Sequence, residues 1–250
     1  MSVNRFFIST SDIDGDRVRL SPEQSHQVCH VLRLKPGDTI VVLDNRGTEY
    51  NVTLTGVSRT ETVGQVTSQQ RAPGEPTVEV TLFQSLLIRE KFEWVLQKGT
   101  EVGVTQFVPI LTERGIVRTR SIEDNKLDRW QRILTEAAEQ SQRGRVPQLE
   151  PIVPFDKAVL RLKDYDRSLI AAPGDRVMTL REALRGIAGT PPSSVAVMIG
   201  PEGGFTEDEV NLACEKGAIR VGLGPRILRT ETAAMIACAL VLYELGEMGV

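Results

Sequence analysis

The sequence has few of the features that are typical of secreted or membrane proteins. Its 250 residues include 3 cysteines, Cys29, Cys214 and Cys238, which are far apart and odd in number, so no disulfide framework is indicated. No apolar run approaches the roughly 18 residues that a membrane-spanning helix needs. The beginning of the chain also lacks the apolar segment of a signal peptide. We therefore expect a cytoplasmic protein that does not insert into a membrane.

Histidine is equally scarce. The two histidines, His26 and His30, stand four residues apart beside Cys29, and this spacing could hold a metal ion. No second pair of ligands accompanies them, so we expect no metal site. Because both lie near the beginning of the chain, the sequence also offers no credible Ser-His-Asp arrangement for nucleophilic catalysis.

Neither sign of charge dominates. The chain has 30 Lys and Arg against 33 Asp and Glu, and its net charge is −3, which argues against a generally basic nucleic-acid binder. Arginine nevertheless outnumbers lysine 23 to 7, and its guanidinium suits bidentate recognition of phosphate and stacking on bases. A compositional bias would explain the excess equally well. A local RNA-binding face therefore remains a hypothesis.

The pattern of the chain changes near residue 72. Before this point, short β-branched runs separated by Gly, Asp or Asn indicate a small barrel, with one short helix that is capped by Ser21 and continues to about Leu32. Residues 71–76 contain two prolines and a glycine and read as a linker. Beyond it, strands and helices alternate, which is typical of an α/β domain with a largely parallel sheet. We predict two domains, residues 1–72 and residues 73–250.

Two glycine loops close to the C-terminus follow apolar strands. Residues 195–199 form the first apolar run and lead into Gly-Pro-Glu-Gly-Gly at residues 200–204. Residues 219–223 form the second and lead into Gly-Pro-Arg at residues 224–226. Because open α/β sheets bind ligands at the carboxyl ends of neighbouring parallel strands, the two loops together predict one ligand site.

Each loop taken alone could be only a tight connection. Gly222-Leu223-Gly224 begins like a dinucleotide-binding fingerprint, but Ile227 stands where the third glycine should be, and no P-loop sequence occurs. A nucleotide-dependent oxidoreductase or transferase of the doubly wound type therefore remains an alternative. Between the two loops, Thr206 and Glu209 have the spacing of a capping box, which predicts a helix from about Glu207.

The loops also carry a family resemblance. GPEGGF at residues 200–205, followed by LGPRILRTETA at residues 223–233, resembles the paired C-terminal motifs of the RsmE family. Members of that family are S-adenosylmethionine-dependent 16S rRNA (uracil-N3) methyltransferases of the SPOUT superfamily. Further similarity covers nearly the whole chain, at residues 5–7, 30–38, 98–104 and 136–143.

The resemblance implies a fold and partners. The expected fold is a PUA-like RNA-binding β-barrel followed by a SPOUT α/β domain whose final helix is threaded through a trefoil knot. Periodicity alone would argue against a knot, because knots are very rare. The expected cofactor is S-adenosylmethionine and the expected substrate is 16S rRNA or the small ribosomal subunit. A C2 homodimer is also expected, with the apolar helix at residues 233–245 as part of its interface.

The resemblance further implies which residues form the site. The adenosine would lie between walls contributed by three strand ends and their loops, and the expected cofactor-binding residues are Leu169, Ala171, Ala172, Ile199, Gly200, Pro201, Glu202, Gly203, Gly204, Leu223, Gly224, Ile227, Leu228, Thr230 and Glu231. Methylation at N3 of uracil requires loss of the imino proton, which a base or a cation that stabilises the uridine anion would assist. Arg229 and Arg226 are the candidate cations, and Glu202 and Glu231 are the candidate carboxylates. A purely structural interpretation of Glu231 is strong, because a carboxylate in the first turn of a helix complements the helix dipole.

Several cations are expected to form a phosphate-contacting rim, although a solvated surface would explain them as well. They are Arg5, Arg33, Lys35, Arg114, Arg118, Arg143 and Arg145. Two further alternatives remain open at this point, namely a methyltransferase with another RNA target and an RNA-binding protein that has lost its activity.

Overall fold

The computed structural model describes residues 3–88, 90–117, 124–174, 177–185 and 191–249. The chain divides into two compact units. Unit 1 consists of Met1–Glu75 and Ala138–Val146, and unit 2 consists of Pro76–Ala137 and Pro147–Val250. Unit 1 is therefore built from two separate segments of the chain.

Unit 1 is rich in strands. Its described strands are β1 (Arg5–Phe7), β2 (Ile13–Asp14), β3 (Arg17–Leu20), β4 (Thr39–Leu43), β5 (Thr48–Val57) and β6 (Thr62–Arg71). They form one sheet in the order β1-β4-β5-β6-β3-β2, in which β1 is parallel to β4 and the other pairs are antiparallel. Alternate side chains are buried, as Val18 and Leu20 of β3 are, because successive residues of a strand face opposite sides of the sheet. The apolar side thus forms a core that includes Phe6, Ile40 and Leu54.

Two irregularities bend the long strands of unit 1. The register between β5 and β6 shifts at Asn51/Val52 and again at Leu54/Gly56, and such bulges increase the local twist of a sheet. Gly64 lies opposite this region, where an added Cβ would collide with the Val52 side chain and the Thr53 carbonyl oxygen. The close approach of the two backbones therefore requires a glycine there.

The helix predicted after Ser21 is present, but its helical geometry changes partway along. The helix α1 (Pro22–His26) begins at a capping box formed by Ser21 and Gln24, which satisfies backbone N–H groups at its start. From Gln27 to Val31 the chain continues as a π-helical turn. The segment is thus helical over most of the predicted range.

Unit 2 contains a parallel sheet with helices between its strands. Its described strands are β7 (Glu79–Ser85), β8 (Gln106–Leu111), β9 (Gln148–Leu149), β10 (Val153–Pro154), β11 (Arg167–Ala171), β12 (Met178–Thr179), β13 (Ser194–Ile199) and β14 (Ile219–Gly222). Their order is β10-β8-β7-β13-β11-β14-β12, with β9 also paired to β8, and every pair is parallel. The central strands are apolar on both faces, as is typical of a sheet covered on both sides. This architecture confirms the predicted α/β fold class.

The helices of this part of the chain are α2 (Glu90–Val102), α3 (Asp124–Gln140), α4 (Phe155–Ala158), α5 (Leu180–Arg185), α6 (Glu207–Glu215) and α7 (Thr230–Glu244). Helices α2 to α6 lie between successive strands in the chain, and α7 follows the last strand, β14. The predicted capping box at the start of α6 is confirmed, because Thr206 and Glu209 each bond to the backbone N–H of the other. Among the residues that the structure describes, no helix is long and apolar enough to cross a membrane.

Candidate active site

Three parallel strands of unit 2 end at the same edge of the sheet. Strand β11 lies between β13 and β14, and Ala171 at its end pairs with Ile199 on one side and Val221 on the other. The loops that follow the three strands therefore leave the sheet side by side. The sequence led us to expect β13 and β14 as neighbours, whereas the structure inserts β11 between them.

The Gly-Pro-Glu-Gly-Gly loop after β13 is fixed by hydrogen bonds. The Gly204 N–H donates to the Pro201 carbonyl oxygen at 2.9 Å, and Gly204 has a φ of +69°, a conformation that glycine adopts without strain. The Gly200 carbonyl oxygen accepts a 2.5 Å hydrogen bond from the hydroxyl of Thr230, in the first turn of α7. The loop after β13 is thus tied to the segment that follows β14.

Arg114 holds the same loop from another side. Its Nη1 donates to the carbonyl oxygens of Gly203 and Phe205, at 3.2 and 3.3 Å. The adjacent Glu113 N–H donates to Glu209 of α6 at 2.9 Å. Part of the hydrogen-bonding capacity of Arg114, predicted to contact phosphate, is therefore used to position the loop.

Lys91 and Glu202 form an ion pair at this edge. Lys91 lies in the first turn of α2, and its Nζ is 2.8 Å from Glu202 Oε1. Partial burial disfavours the charged form of Glu202, but the hydrogen bond from Lys91, a hydrogen bond from the Glu202 backbone N–H and the positive charge of Lys91 together outweigh it and lower the pKa of the carboxyl below its ordinary value. The hydrogen bond to Glu202 in turn raises the pKa of Lys91. A carboxylate held in its ionised form in this way is a weak proton acceptor.

The start of α7 carries the other candidate charges. Arg229 occupies the N-cap position of the helix and is exposed, as is Arg226. Glu231 follows in the first turn, and its Oε2 is buried with no hydrogen-bond partner among the described residues. The geometry thus places two cations and a carboxylate within a few residues of the Thr230–Gly200 hydrogen bond.

The predicted cofactor residues differ widely in exposure. Leu169 is fully buried within β11, two residues before its end, whereas Ile227 is 103% exposed and projects into solvent. The remaining apolar positions lie between these extremes. The buried residues are Leu169, Ala172, Ile199, Gly200, Pro201 and Thr230; the half-buried ones are Ala171, Gly204, Leu223, Leu228 and Glu231; the exposed ones are Glu202, Gly203, Gly224 and Ile227.

Three residues at this edge were missed by the sequence analysis. Lys91 and Gln84 both come from the segment around the end of β7, a fourth strand that ends here and pairs with β13. Arg220 of β14 donates to the carbonyl oxygens of Ala172 and Pro173 and pairs with Glu207, so it holds the loop after β11. Treating the end of β7 like the other strand ends would have drawn attention to Gln84 and Lys91.

Two of the arginines predicted to contact RNA have side chains that are largely buried and paired with carboxylates inside unit 1. Arg143 is 2% exposed, and its guanidinium donates through Nε and Nη2 to Glu75 at 3.2 Å each. Arg5 is largely buried and pairs with Glu49. Burial and carboxylate partners leave neither guanidinium available to a phosphate.

The other predicted RNA contacts are more accessible. Arg33 and Lys35 are exposed, and Arg33 has a φ of +56°. Arg145 is exposed too, although its Nη2 donates to the Arg46 carbonyl oxygen at 3.0 Å. Arg118 lies outside the described residues. Unit 1 therefore keeps three of the expected cations at its surface.

Comparisons with known proteins place the chain in a family. The family model described as an RNA methyltransferase domain matches residues 74–242, and one described as an RNA methyltransferase PUA domain matches residues 20–64. Ribosomal RNA small subunit methyltransferase E of Bacillus subtilis is 33% identical over 90% of this chain and 89% of its own length. The protein of the same name from Synechocystis is 34% identical over 94% of this chain and 76% of its own length.

Solved structures agree with these sequence matches. The crystal structure of a ribosomal RNA small subunit methyltransferase E from Neisseria gonorrhoeae, bound to S-adenosyl methionine, is 32% identical with a TM-score of 0.86 and covers 97% of this chain and 98% of its own. A putative methyltransferase from Legionella pneumophila, in complex with the cofactor SAM, is 30% identical with a TM-score of 0.85 at the same coverage. With the parallel sheet and its converging loops, these matches show that the chain belongs to the ribosomal RNA small subunit methyltransferase E family.

Proposed function

We propose that this chain transfers the methyl group of S-adenosylmethionine to N3 of a uridine in the 16S rRNA of the small ribosomal subunit. Membership of the family makes the chain an rRNA methyltransferase that uses S-adenosylmethionine. The choice of uracil N3 rests on the resemblance of residues 200–205 and 223–233 to the family motifs. The observation that carries the proposal is the convergence of the ends of β13, β11 and β14 on one edge of the sheet.

The residues at this edge fit such a cofactor. A flat, largely apolar adenosine needs apolar walls with backbone polar groups at its rim. The loops after β11, β13 and β14 supply apolar side chains and glycine backbone, and Arg220, Arg114 and Thr230 hold these loops in place. S-adenosylmethionine brings a methyl group already attached to a good leaving group, so the protein has mainly to align the nucleophile.

Arg229 is the residue we expect to assist the loss of the N3 proton. It is exposed at the start of α7, and no carboxylate of the described residues lies within 4.0 Å of its guanidinium. A cation there would stabilise the negative charge that develops on the uracil as the proton leaves. Glu202 is less suited to accept the proton, because Lys91 already holds it ionised.

Mass spectrometry of 16S rRNA tests the proposal. RNA from cells that lack the protein should miss one methyluridine, and purified protein with labelled S-adenosylmethionine should restore it at N3. Label on another base or another RNA would favour the alternative of a different target. Binding of NAD without any binding of S-adenosylmethionine would support a doubly wound oxidoreductase instead.

We also expect two copies of the chain to associate through α7. Ile236, Leu240 and Tyr243 are exposed on this helix at spacings of four and three residues, so they lie along one face. An exposed apolar stripe is typical of a protein interface, and a C2 dimer would bury it against its own copy. Light scattering should give twice the chain mass, and Leu240→Arg should reduce it to that of one chain. A wild-type mass equal to one chain would contradict the dimer.

A further inference from the structure

Gln84 is a buried polar residue at the edge of the sheet where the cofactor loops converge. It is the second-last residue of β7, pairs with Ile199 at the end of β13, and is 1% exposed. The side-chain amide of glutamine can donate hydrogen bonds through its NH2 group and accept them at its oxygen, and such a group is rarely buried without hydrogen-bond partners. The partners of Gln84 therefore indicate why it is there.

The amide of Gln84 donates to Thr230. Gln84 Nε2 lies 3.2 Å from Thr230 Oγ1 and 3.1 Å from the carbonyl oxygen of Ser85. Thr230 Oγ1 in turn lies 2.5 Å from the carbonyl oxygen of Gly200. A hydroxyl has one proton, which Thr230 must give to the Gly200 carbonyl oxygen, so Thr230 can only accept from Gln84. This order requires the NH2 group, and not the oxygen, of Gln84 to face Thr230.

The other half of the amide has no such role. Gln84 Oε1 is buried without a hydrogen-bond partner among the described residues, and an unsatisfied buried acceptor destabilises a fold. An apolar side chain of similar size would avoid that penalty. The presence of glutamine at this position is therefore explained by what its NH2 group does for Thr230.

We propose that Gln84 is a positioning residue for the cofactor loop. By donating to Thr230, it directs the Thr230 hydroxyl toward the Gly200 carbonyl oxygen and so fixes the loop after β13 to the start of α7. The chain of three groups joins β7, β13 and α7 at the rim of the site. This inference rests on the proposed function, because the loop is taken to hold S-adenosylmethionine.

Substitutions that remove the Gln84 NH2 group or the Thr230 hydroxyl test whether the two hydrogen bonds position the loop. Gln84→Met keeps the length of the side chain but removes the donor, and Thr230→Val removes the hydroxyl. Each is expected to weaken S-adenosylmethionine binding about three- to tenfold in calorimetry, the value of about one net hydrogen bond. The maximal rate at saturating cofactor should change much less than KM, because the substitutions loosen the binding loop and leave the reacting groups in place. Thr230→Ser should bind as the wild type does.

A double-mutant cycle separates positioning from general loss of stability. Because Gln84 acts on the Gly200 carbonyl oxygen only through the Thr230 hydroxyl, Gln84→Met with Thr230→Val should bind no worse than Thr230→Val alone. Ser168→Ala is a matched control, since it removes a buried 2.8 Å hydrogen bond to Leu162 at the beginning of β11. It should lower the melting temperature without weakening cofactor binding.

The possible outcomes differ for the two proposals. Additive losses in the double variant, or wild-type affinity in folded Gln84→Met, would overturn the role of Gln84 while leaving the cofactor site intact. Failure of the wild-type protein itself to bind S-adenosylmethionine would overturn the proposed function, and the role of Gln84 with it. Equal losses in Ser168→Ala would show that the affinity follows overall stability and would also overturn the link.

Discussion

The ammonium group of Lys91 lies 2.8 Å from the carboxylate of Glu202 and joins the first turn of α2 to the loop after β13. The pKa of Glu202 is lowered, so the stabilisation from its carboxylate is present above its unfolded-state pKa and is lost as the pH falls through the folded-state value. The pKa of Lys91 is raised, so its contribution is lost only as the pH rises through a value above that of an ordinary lysine. Between the ordinary pKa of glutamate and that of lysine, the pair should therefore stay largely ionised.

Glu202→Gln should therefore reduce methyl transfer only modestly. The pair is partly exposed to solvent and such pairs contribute little, so the loss should be less than about tenfold. A general base contributes roughly 100- to 10,000-fold. Single-turnover rates of both proteins from pH 6 to pH 9 distinguish the two cases. A loss beyond about 100-fold at saturating cofactor would identify Glu202 as the proton acceptor.

Arg229→Ala should abolish transfer in a folded protein. Loss of a group that stabilises developing negative charge costs about 100- to 1,000-fold in rate, whereas truncation of an exposed side chain changes stability by about 0.5 kcal/mol or less. Arg226→Ala is the comparison, because it removes an exposed arginine from the same loop. Single-turnover assays with matched melting curves provide the measurement, and wild-type turnover in Arg229→Ala would remove that residue from the mechanism.

Substitutions of cationic residues in unit 1 should have two different effects, depending on whether the side chain is exposed or buried. Arg33→Ala and Lys35→Ala should each weaken RNA binding and reduce the slope of log affinity against log salt by about 1, because each removes one exposed cation. Arg143→Ala should leave the salt slope unchanged and lower stability by about 1–3 kcal/mol, since the largely enclosed Glu75 carboxylate loses its guanidinium partner and keeps only the Gly144 and Arg145 N–H groups. Fluorescence anisotropy at several salt concentrations, with thermal melting, measures both effects. A reduced salt slope in folded Arg143→Ala would contradict its internal position.

The cysteines should differ in reactivity. Complete burial raises the pKa of Cys238 to about 12, so its thiol should resist alkylation at pH 8 in the folded protein. Cys214 is exposed; partial desolvation raises its pKa, so it should react, but more slowly than a free thiol. Timed alkylation followed by peptide mass spectrometry measures each site. Modification of Cys238 as fast as Cys214 would contradict the burial.

Local features of the fold were predictable because their causes are local. The capping residues Ser21 and Thr206 mark the observed helix starts, since an N-cap acts on backbone groups within three residues. The glycine loops after β13 and β14 were recognised for a similar reason, because the turn and the strand that leads to it are adjacent in sequence. The threading of the last helix, by contrast, remains a prediction from the family resemblance.

Features that depend on distant partners were not predictable. The position of β11 between β13 and β14 is set by the packing of the whole sheet. Arg143 is buried against Glu75, which is 68 residues away in the sequence. The sequence alone does not distinguish an arginine that pairs with a carboxylate inside the protein from one that contacts a phosphate. The link from Gln84 to Thr230 spans 146 residues. The periodicity of the sequence does not predict contacts between residues that are so far apart in the chain.

The origin of unit 1 from two chain segments limits how the protein can be divided. Glu75 accepts hydrogen bonds from the Arg143 side chain and from the backbone N–H groups of Gly144 and Arg145, and Gly144 packs against Ala72 and Gly47. A fragment that stops at residue 75 would lose all of these partners and expose their contact surface. Deletion mapping, domain grafting and recombination between relatives would all have to carry residues 138–146 along with the N-terminal strands, so unit 1 cannot be transferred as one contiguous segment of the gene.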